Sequence, residues 1–423
     1  MNALRVLLVT DSFPPNCGGS GWSTWELTRG LRRGGHAVDV VHVRQGSEDR
    51  VFTTDYEGVP VTTFGFTAPT APFVRNMAKN ERLWRRVTTF LADRLRDRGA
   101  DVVHAQHVMT TVPAVRAGRA RGVPVVATVR DYWPVCYWSD LIYDPTQPHL
   151  CPACSAGMMT RCLRPRAGAA TPAAWPMIPY MRWNLRTKRR TLSQASAVIA
   201  VSSVIAADLV RRAPELDPTR VHTVPNPFDM SALDEAHARA ERPRPDPYVL
   251  YVGKLATNKG AQFLVPALAD AGVSLPVVVV GDGPLRPSVE SAAAARGLDL
   301  RVVGWRPRDE VWAWMRHARV LAYPSYGPES LSRVLVEAAA LGTPIAAMAT
   351  GGTGDILTHQ STALLSSSAD AWAADVRTLA THEETGLRLG AAARADVHAR
   401  FDAPGVVTRV EQVYRLVLQS PAV

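Results

Sequence analysis

Two trains of short, almost wholly apolar runs, each ending in a glycine or proline turn, constrain the fold of this chain more than any other feature. The first reads RVLLVT at Arg5–Thr10, then AVDVVHV, DVVHA, PVVATV, SAVIAVS and VHTVPNP; the second reads YVLYVGKL, VVVVGDGP, LRVVGW, RVLAYPS and TPIAAMA. Runs of this kind do not alternate polar with apolar, as expected of parallel strands buried on both faces. Segments of helical character lie between them, among them one from about Trp22 to Arg33 and a basic one from Asn76 to Arg98. Strand and helix in alternation predict doubly wound parallel α/β sheets. A chain of 423 residues exceeds one ordinary core, so two such domains are expected. The Arg- and Pro-dense stretch Pro225–Pro247 is the natural linker. It gives an N-terminal domain over 1–224, a C-terminal domain over 248–403, and an amphipathic terminal helix over 404–423 carrying Val406, Val410, Val413, Tyr414 and Leu416.

In open α/β sheets ligands bind at the carboxyl ends of strands, so the residues just after each run carry the chemistry. After RVLLVT comes DSFPPNCGGSGW, in which Gly18, Gly19 and Gly21 allow close backbone approach to a ligand, although the run is not G-x-G-x-x-G and a plain tight turn explains it equally. DVVHA is followed by Gln106 and His107, and PVVATV by Arg130 and Asp131. His107 reads as an imidazole beside a ligand or as a satisfied polar residue at a strand end. Arg130, facing a ligand, would hold an anionic acceptor or a donor phosphate, because its planar fork matches oxyanion geometry. In the second half, Lys254 and Lys259 follow the first run, Gly281 opens a G-D-G-P turn, Trp305 follows VVG, and a glycine loop runs from Thr350 to Thr353.

The stretch YPSYGPESLSRVLVEAAALG at Tyr323–Gly342 opens as a loop and turns helical, with Leu331, Val334, Leu335 and Ala338 on one face. Glu329 and Glu337, eight residues apart, would lie roughly 12 Å apart along a helix axis. Amides near Ser330, at the helix start, would accept an anion between them. A carboxylate on each side of a phosphate site suits a sugar nucleotide, with hydroxyls at both ends. On spacing alone, the favoured reading makes Glu329 a capping acid and Glu337 an ordinary helix glutamate.

The run P-E-S-L-S-R-V-L-V-E-A-A-A-L-G-T-P-I resembles the E-x7-E signature of glycosyltransferase family 4, retaining enzymes of GT-B fold. It matches in both glutamates, in the Glu-Ala that follows and in Gly-Thr-Pro. F-P-P-N-C-G-G is similar to the family's glycine loop, and G-K-L-A-T-N-K-G to its pair of diphosphate-binding cations. The resemblance covers nearly the whole chain. It implies two Rossmann-like domains facing a cleft, with the terminal helix crossing back to the first. It also implies a nucleoside-diphosphate-sugar donor (a UDP- or GDP-sugar) held by Gly18, Gly19, Lys254, Lys259, Gly281, Trp305, Ser330, Leu331, Ser332 and Glu337. Catalysis is assigned to Glu329, His107 and Lys259, and acceptor recognition to Arg130 and Asp131. Three departures matter: Ser332 stands where the family often has glycine, Lys254 where it has arginine, and Arg130 where it has the histidine of an H-D pair. Trp305 matches a position whose backbone meets the base in the family; core packing is the competing assignment.

No D-x-D stands at a strand end to hold a divalent ion on a diphosphate, so metal-independent transfer with no catalytic cofactor is expected. Four of five cysteines, Cys136, Cys151, Cys154 and Cys162, fall within 27 residues of an insertion at about 132–165. Four soft ligands suit a structural zinc ion; unligated thiols, a disulfide or an iron–sulfur cluster are the alternatives. Net charge is +10, which favours anionic partners without choosing among them. No helix-turn-helix, zinc-finger or other nucleic-acid module is legible, and no apolar run reaches the ~20 residues that span a bilayer. The N-terminus reads as a strand rather than a signal peptide, which points to the cytoplasm. Residues 175–191, WPMIPYMRWNLRTKRRT, interleave aromatics with arginines, the composition of a peripheral membrane contact or of a solvated surface helix.

The activity expected is transfer of a hexose to an acceptor hydroxyl on a lipid-linked saccharide, a cell-surface polysaccharide or a natural product. A nucleotide-sugar epimerase of the same fold would convert donor without acceptor. A non-catalytic partner subunit would bind donor without turnover. A zinc-dependent redox or nucleic-acid protein would lose function with its metal.

Overall fold

The computed structural model describes residues 3–70, 72–144 and 150–419. The chain forms two compact units, one comprising Met1–Ser139, Met177–Phe228 and Ala403–Val423, the other Asp140–Pro176 and Asp229–Asp402.

The first unit holds eight described strands: β1 (Arg5–Thr10), β2 (Ala37–Gln45), β3 (Val51–Tyr56), β4 (Val59–Phe66), β5 (Val102–Ala105), β6 (Val125–Val129), β7 (Ala197–Ala200) and β8 (Val221–Thr223). Their order is β3-β4-β2-β1-β5-β6-β7-β8, so the winding reverses between β1 and β5. All pairs are parallel except β3 with β4. That edge hairpin is absent from the sequence reading because β3 is largely exposed and offers no apolar run. Its two-residue turn, Glu57-Gly58, has positive φ at both positions, as tight hairpin turns require.

The terminal helix Ala403–Gln419 belongs to this unit's core, where Val406, Val410, Val413 and Tyr414 pack with Val6, Leu8, Leu31 and Val102. Gly30 makes room for it, since a Cβ there would lie 2.4 Å from Val407 Cγ2. Buried His104 pairs Nδ1 with Tyr414 Oη at 2.6 Å and Nε2 with Thr128 Oγ1 at 2.7 Å. Burial, with Arg130 nearby, pushes its pKa down to about 3, so it is a neutral hub of the core rather than a titrating group.

The second unit holds six described parallel strands: β9 (Val249–Val252), β10 (Val277–Val280), β11 (Leu300–Gly304), β12 (Val320–Tyr323), β13 (Ile345–Met348) and β14 (Leu364–Ser366). The order β11-β10-β9-β12-β13-β14 places its switch point between β9 and β12. Val249, Tyr251, Val277, Val279, Val320 and Trp372 form its core.

The boundaries differ from the expected ones in three places. The stretch read as a linker contains the helix Met230–Arg239, capped by Asp229, which belongs to the second unit; the Arg- and Pro-rich residues after it lie outside helix and strand. The segment Asp140–Pro176, which takes in most of the insertion expected at about 132–165, groups with the second unit, although sequence adjacency assigned it to the first. The basic helix expected over Asn76–Arg98 is instead Pro72–Met77, a π-helical turn at Ala78–Arg82, and Leu83–Arg98.

Candidate functional site

Each unit presents its chemistry at its own switch point. In the second unit the loops after β9, β12 and β13 are locked together by glycines. Gly260, at φ 69°, lies against Pro324: a Cβ would come within 1.9 Å of the Pro324 carbonyl oxygen. Gly327 N–H donates to Asn258 O at 3.0 Å, Gly352 N–H to Glu329 O at 2.6 Å, and Thr350 Oγ1 to Ser325 O at 2.8 Å. Gly260→Ala should therefore destabilise this unit by about 2–4 kcal/mol, because backbone and not a side chain must yield. Thermal denaturation checks this; an unchanged Tm would show that the loops are not interlocked.

Glu329 lies in the loop, not in a helix. The helix runs from Arg333 to Ala340, with Ser332 as its N-cap accepting from Leu335 N–H at 3.4 Å. The expected helix start at Ser330 is therefore corrected, and the axial separation computed for Glu329 and Glu337 does not apply. The first-turn amides are those of Arg333 and Val334. The helix is also buried nearly all round rather than on one face. Ser332 explains its own departure from glycine: its hydroxyl caps the helix and pairs with Tyr323 Oη at 2.9 Å.

The Glu329 carboxylate is buried and receives Lys259 Nζ and Ser325 Oγ on Oε1, the latter at 2.5 Å. Burial alone would raise its pKa, but Lys259, Ser325 and Tyr323 hold it below the usual value. Glu329 is thus an anion and a hydrogen-bond acceptor. Glu337 Oε1 is held by Arg333 Nε at 3.2 Å and Nη2 at 3.0 Å, with Arg308 Nη2 at 3.6 Å. Lys254 is exposed and forms no ion pair among the described residues. Gly281, at φ 138°, lies against Gly253, where a Cβ would come within 2.0 Å of the carbonyl oxygen. Leu331 is buried and Ser330 half-buried. Trp305 is 77% exposed, which excludes core packing.

In the first unit Gly18 is the N-cap of the helix Gly19–Arg33, whose first turn has neither a side-chain cap nor an acidic residue. At the ends of β1, β5 and β6, Asp11 Oδ2 lies 3.2 Å from His107 Nδ1, and Asp131 Oδ2 lies 3.6 Å from His107 Nε2. Burial disfavours the imidazolium, yet the two carboxylates outweigh it and raise the pKa to about 9. His107 is therefore charged at neutral pH, even though it caps the positive end of the helix Val108–Arg121. Asp11 is held below the usual carboxylate range: burial opposes this, and His107 and the Met109 amide overcome it. Asp131 is pushed up by burial despite His107.

Arg130 departs from its expected role. It is buried, with Nη1 donating to Gln106 O at 2.7 Å and Nε to Asn226 Oδ1 at 2.9 Å, so its fork ties strand ends together. A guanidinium at a strand end finds backbone carbonyls as readily as a ligand. Among the described residues no three His, Cys, Asp or Glu side chains are grouped so as to hold a metal ion. Cys151 and Cys162 direct their thiols to Ala153 O and Met159 O.

The sequence reading missed Asp11, Tyr323, Ser325, Arg308 and Arg333. Arg333 was legible as the residue four before Glu337, and Asp11 as the first charged residue after β1. Arg308 comes from a distant helix and left no local signal.

Two doubly wound units with their ligand loops at the switch points have the GT-B architecture of glycosyltransferases. Solved structures share it: HepE of Anabaena in complex with UDP (TM-score 0.67, 17% identity, 97% of this chain and 99% of that one) and sucrose-phosphate synthase of Thermosynechococcus elongatus (TM-score 0.67, 20% identity, 97% and 98%). The chain belongs to glycosyltransferase family 4: the profile described as Glycosyltransferase Family 4 matches residues 17–232, just over half the chain, and that described as Glycosyl transferases group 1 matches residues 234–396. Relatives include a 2-deoxystreptamine glucosyltransferase of Streptomyces kanamyceticus, 35% identical over 44% of this chain and 49% of that protein. Another is a D-inositol 3-phosphate glycosyltransferase of Corynebacterium efficiens, 33% identical over 49% and 53%. The matched region thus spans about half the length of these relatives.

Proposed function

We propose that the protein transfers a hexose from a nucleoside diphosphate to an acceptor hydroxyl, with retention at the anomeric carbon and without a catalytic metal. The observation that carries this is the buried, ionised Glu329 held by Lys259, Ser325 and Tyr323 at the β9–β12 switch point. A fixed carboxylate with a cation beside it can accept sugar hydroxyls while the cation meets the departing diphosphate. Lys254 and the Arg333 and Val334 amides add to that charge stabilisation, the largest contribution an enzyme makes to a developing anion. Glu337, oriented by Arg333 and Arg308, is assigned the ribose hydroxyls. Relatives named for 2-deoxystreptamine and inositol 3-phosphate, and neighbours solved with UDP and UDP-glucose, support a nucleotide-sugar donor and a small polyhydroxylated acceptor.

His107, already protonated, is a charge stabiliser rather than a base. The acceptor hydroxyl bonds to the anomeric carbon as the carbon–phosphate-oxygen bond breaks, and its proton is left to the departing phosphate oxygen. The protein would act in the cytoplasm; among the described residues no helix is long and apolar enough to cross a membrane.

A thermal-shift panel of UDP- and GDP-sugars, followed by turnover with the stabilising donor in EDTA, tests this reading. Glu337→Gln is expected to weaken donor affinity about tenfold with kcat little changed, the pattern of lost uniform binding. Wild-type affinity in that variant would remove Glu337 from the donor site. Donor conversion without acceptor would replace transfer by epimerisation.

A further inference from the structure

We propose that the first unit carries a docking surface for an anionic lipid bilayer, built from the helix Met177–Leu192 and the segment Val74–Arg85. The helix contains no acidic residue. Its exposed residues Pro179, Arg182, Trp183, Arg186 and Arg190 fall within about 100° of arc, while Met181, Asn184, Leu185, Lys188 and Thr191 are buried on the opposite side. Trp183 is 51% exposed at the centre of that arginine stripe, its ring tilted against Tyr180 with centroids 6.1 Å apart. A stripe kept only for solubility would not hold an indole in water.

The second segment repeats the pattern. Val74 and Met77 are 53% and 49% exposed, and Arg75, Arg82 and Arg85 are exposed beside them. Its only acid, Glu81, is turned inward, accepting from Tyr180 Oη at 2.8 Å and Asn184 Nδ2 at 2.9 Å. Those two bonds staple the segment to the helix and remove the one carboxylate that would repel a phosphate. Among the described residues none of the six exposed arginines forms an ion pair with a carboxylate, whereas most of the chain's other arginines do. Apolar side chains that enter the headgroup region, ringed by cations that meet lipid phosphate, are the chemistry of an interfacial helix. Nucleic acid would use the arginines but gain little from exposed Val74 and Met77. The bilayer is therefore the partner that uses both.

The test is sedimentation of the full chain with vesicles of equal phosphatidylglycerol and phosphatidylcholine, and with vesicles of phosphatidylcholine alone. Binding is expected to the anionic vesicles, and to be lost on raising salt from about 0.1 M to about 0.5 M. Replacing Arg182, Arg186 and Arg190 together by glutamine should lower the partition coefficient about 100-fold. Trp183→Ser should lower it about fivefold or more. Replacing exposed Arg161, Arg164 and Arg301 by glutamine should leave it nearly unchanged. Absence of binding, equal binding to both vesicle types, or equal losses in the two triple variants would overturn the proposal. So would duplex DNA binding as tight as vesicle binding and insensitive to Trp183→Ser. Donor turnover in all these variants should stay at the wild-type level, so failure here is separable from failure of the glycosyltransferase reading.

Discussion

Replacing Glu329 by alanine is expected to lower kcat about 10²-fold or more, with donor affinity changed much less. The carboxylate is buried, ionised and held on Oε1 by Lys259 and Ser325, so its orientation is set before any ligand arrives. A pre-oriented acceptor stabilises charge that develops as the glycosidic bond lengthens, and such a group acts on turnover more than on binding. A hundredfold loss is about 2.7 kcal/mol of transition-state stabilisation. Truncation also leaves Lys259 without its anion, free to bind ground-state diphosphate more tightly. Steady-state kinetics with the donor found in the thermal-shift panel separates the two parameters. Glu329→Gln keeps the volume and one acceptor oxygen, so it should fall between wild type and alanine. Unchanged kcat in both variants would assign Glu329 a structural part only, as the anion that pins Lys259 between two loops.

His107→Gln is expected to cost about 10²-fold in kcat/KM and to abolish the alkaline limb of the pH profile. The imidazolium sits between Asp11 and Asp131 with a pKa near 9. Because that value is raised above the unfolded one of about 6.5, the stability it contributes is complete below pH 6.5 and is lost as pH rises through 9. Asp11 has the opposite sign: its pKa is depressed, so its contribution is present above its ordinary value near 4 and is lost on acidification below it. Wild-type kcat/KM should hold to about pH 8 and fall as His107 deprotonates. Asp11→Asn should move that fall toward neutral pH, because the larger of the two attractions on the imidazolium is removed. A limb at the same pH in wild type and in His107→Gln would show that another group titrates.

Much of the architecture was written locally. Two trains of short apolar runs, bounded by turn residues and set between helical segments, specify two parallel sheets, because strands buried on both faces are apolar at nearly every position and too short for a buried helix. Valines Val277–Val280 and the run at Arg5–Thr10 needed nothing else to be placed. Lys259, Glu329 and His107 stand in loops that follow strand ends, where the residues are few, whereas Glu337, inside the helix Arg333–Ala340, was marked by its eight-residue spacing from Glu329. The exposed strand β3 and the π turn at Ala78–Arg82 were not legible, because exposed elements carry no apolar period.

What the tertiary structure alone decided is the state and company of those side chains. The pairing of Lys259 with Glu329 joins residues 70 apart in sequence, and that of Asp11 with His107 joins residues 96 apart. Sequence order is silent about either, because it records neither which loop tips the sheet order brings together nor how much water is left between them. The same limit explains Arg130, whose identity suggested a ligand while the fold supplied Gln106 O and Asn226. It explains Ser332 as well, which looked like a lost glycine and is the cap of its own helix. Residue types at strand ends determine which chemistry is on offer; charge and hydrogen-bond partners depend on distance and burial, which exist only once the chain is folded.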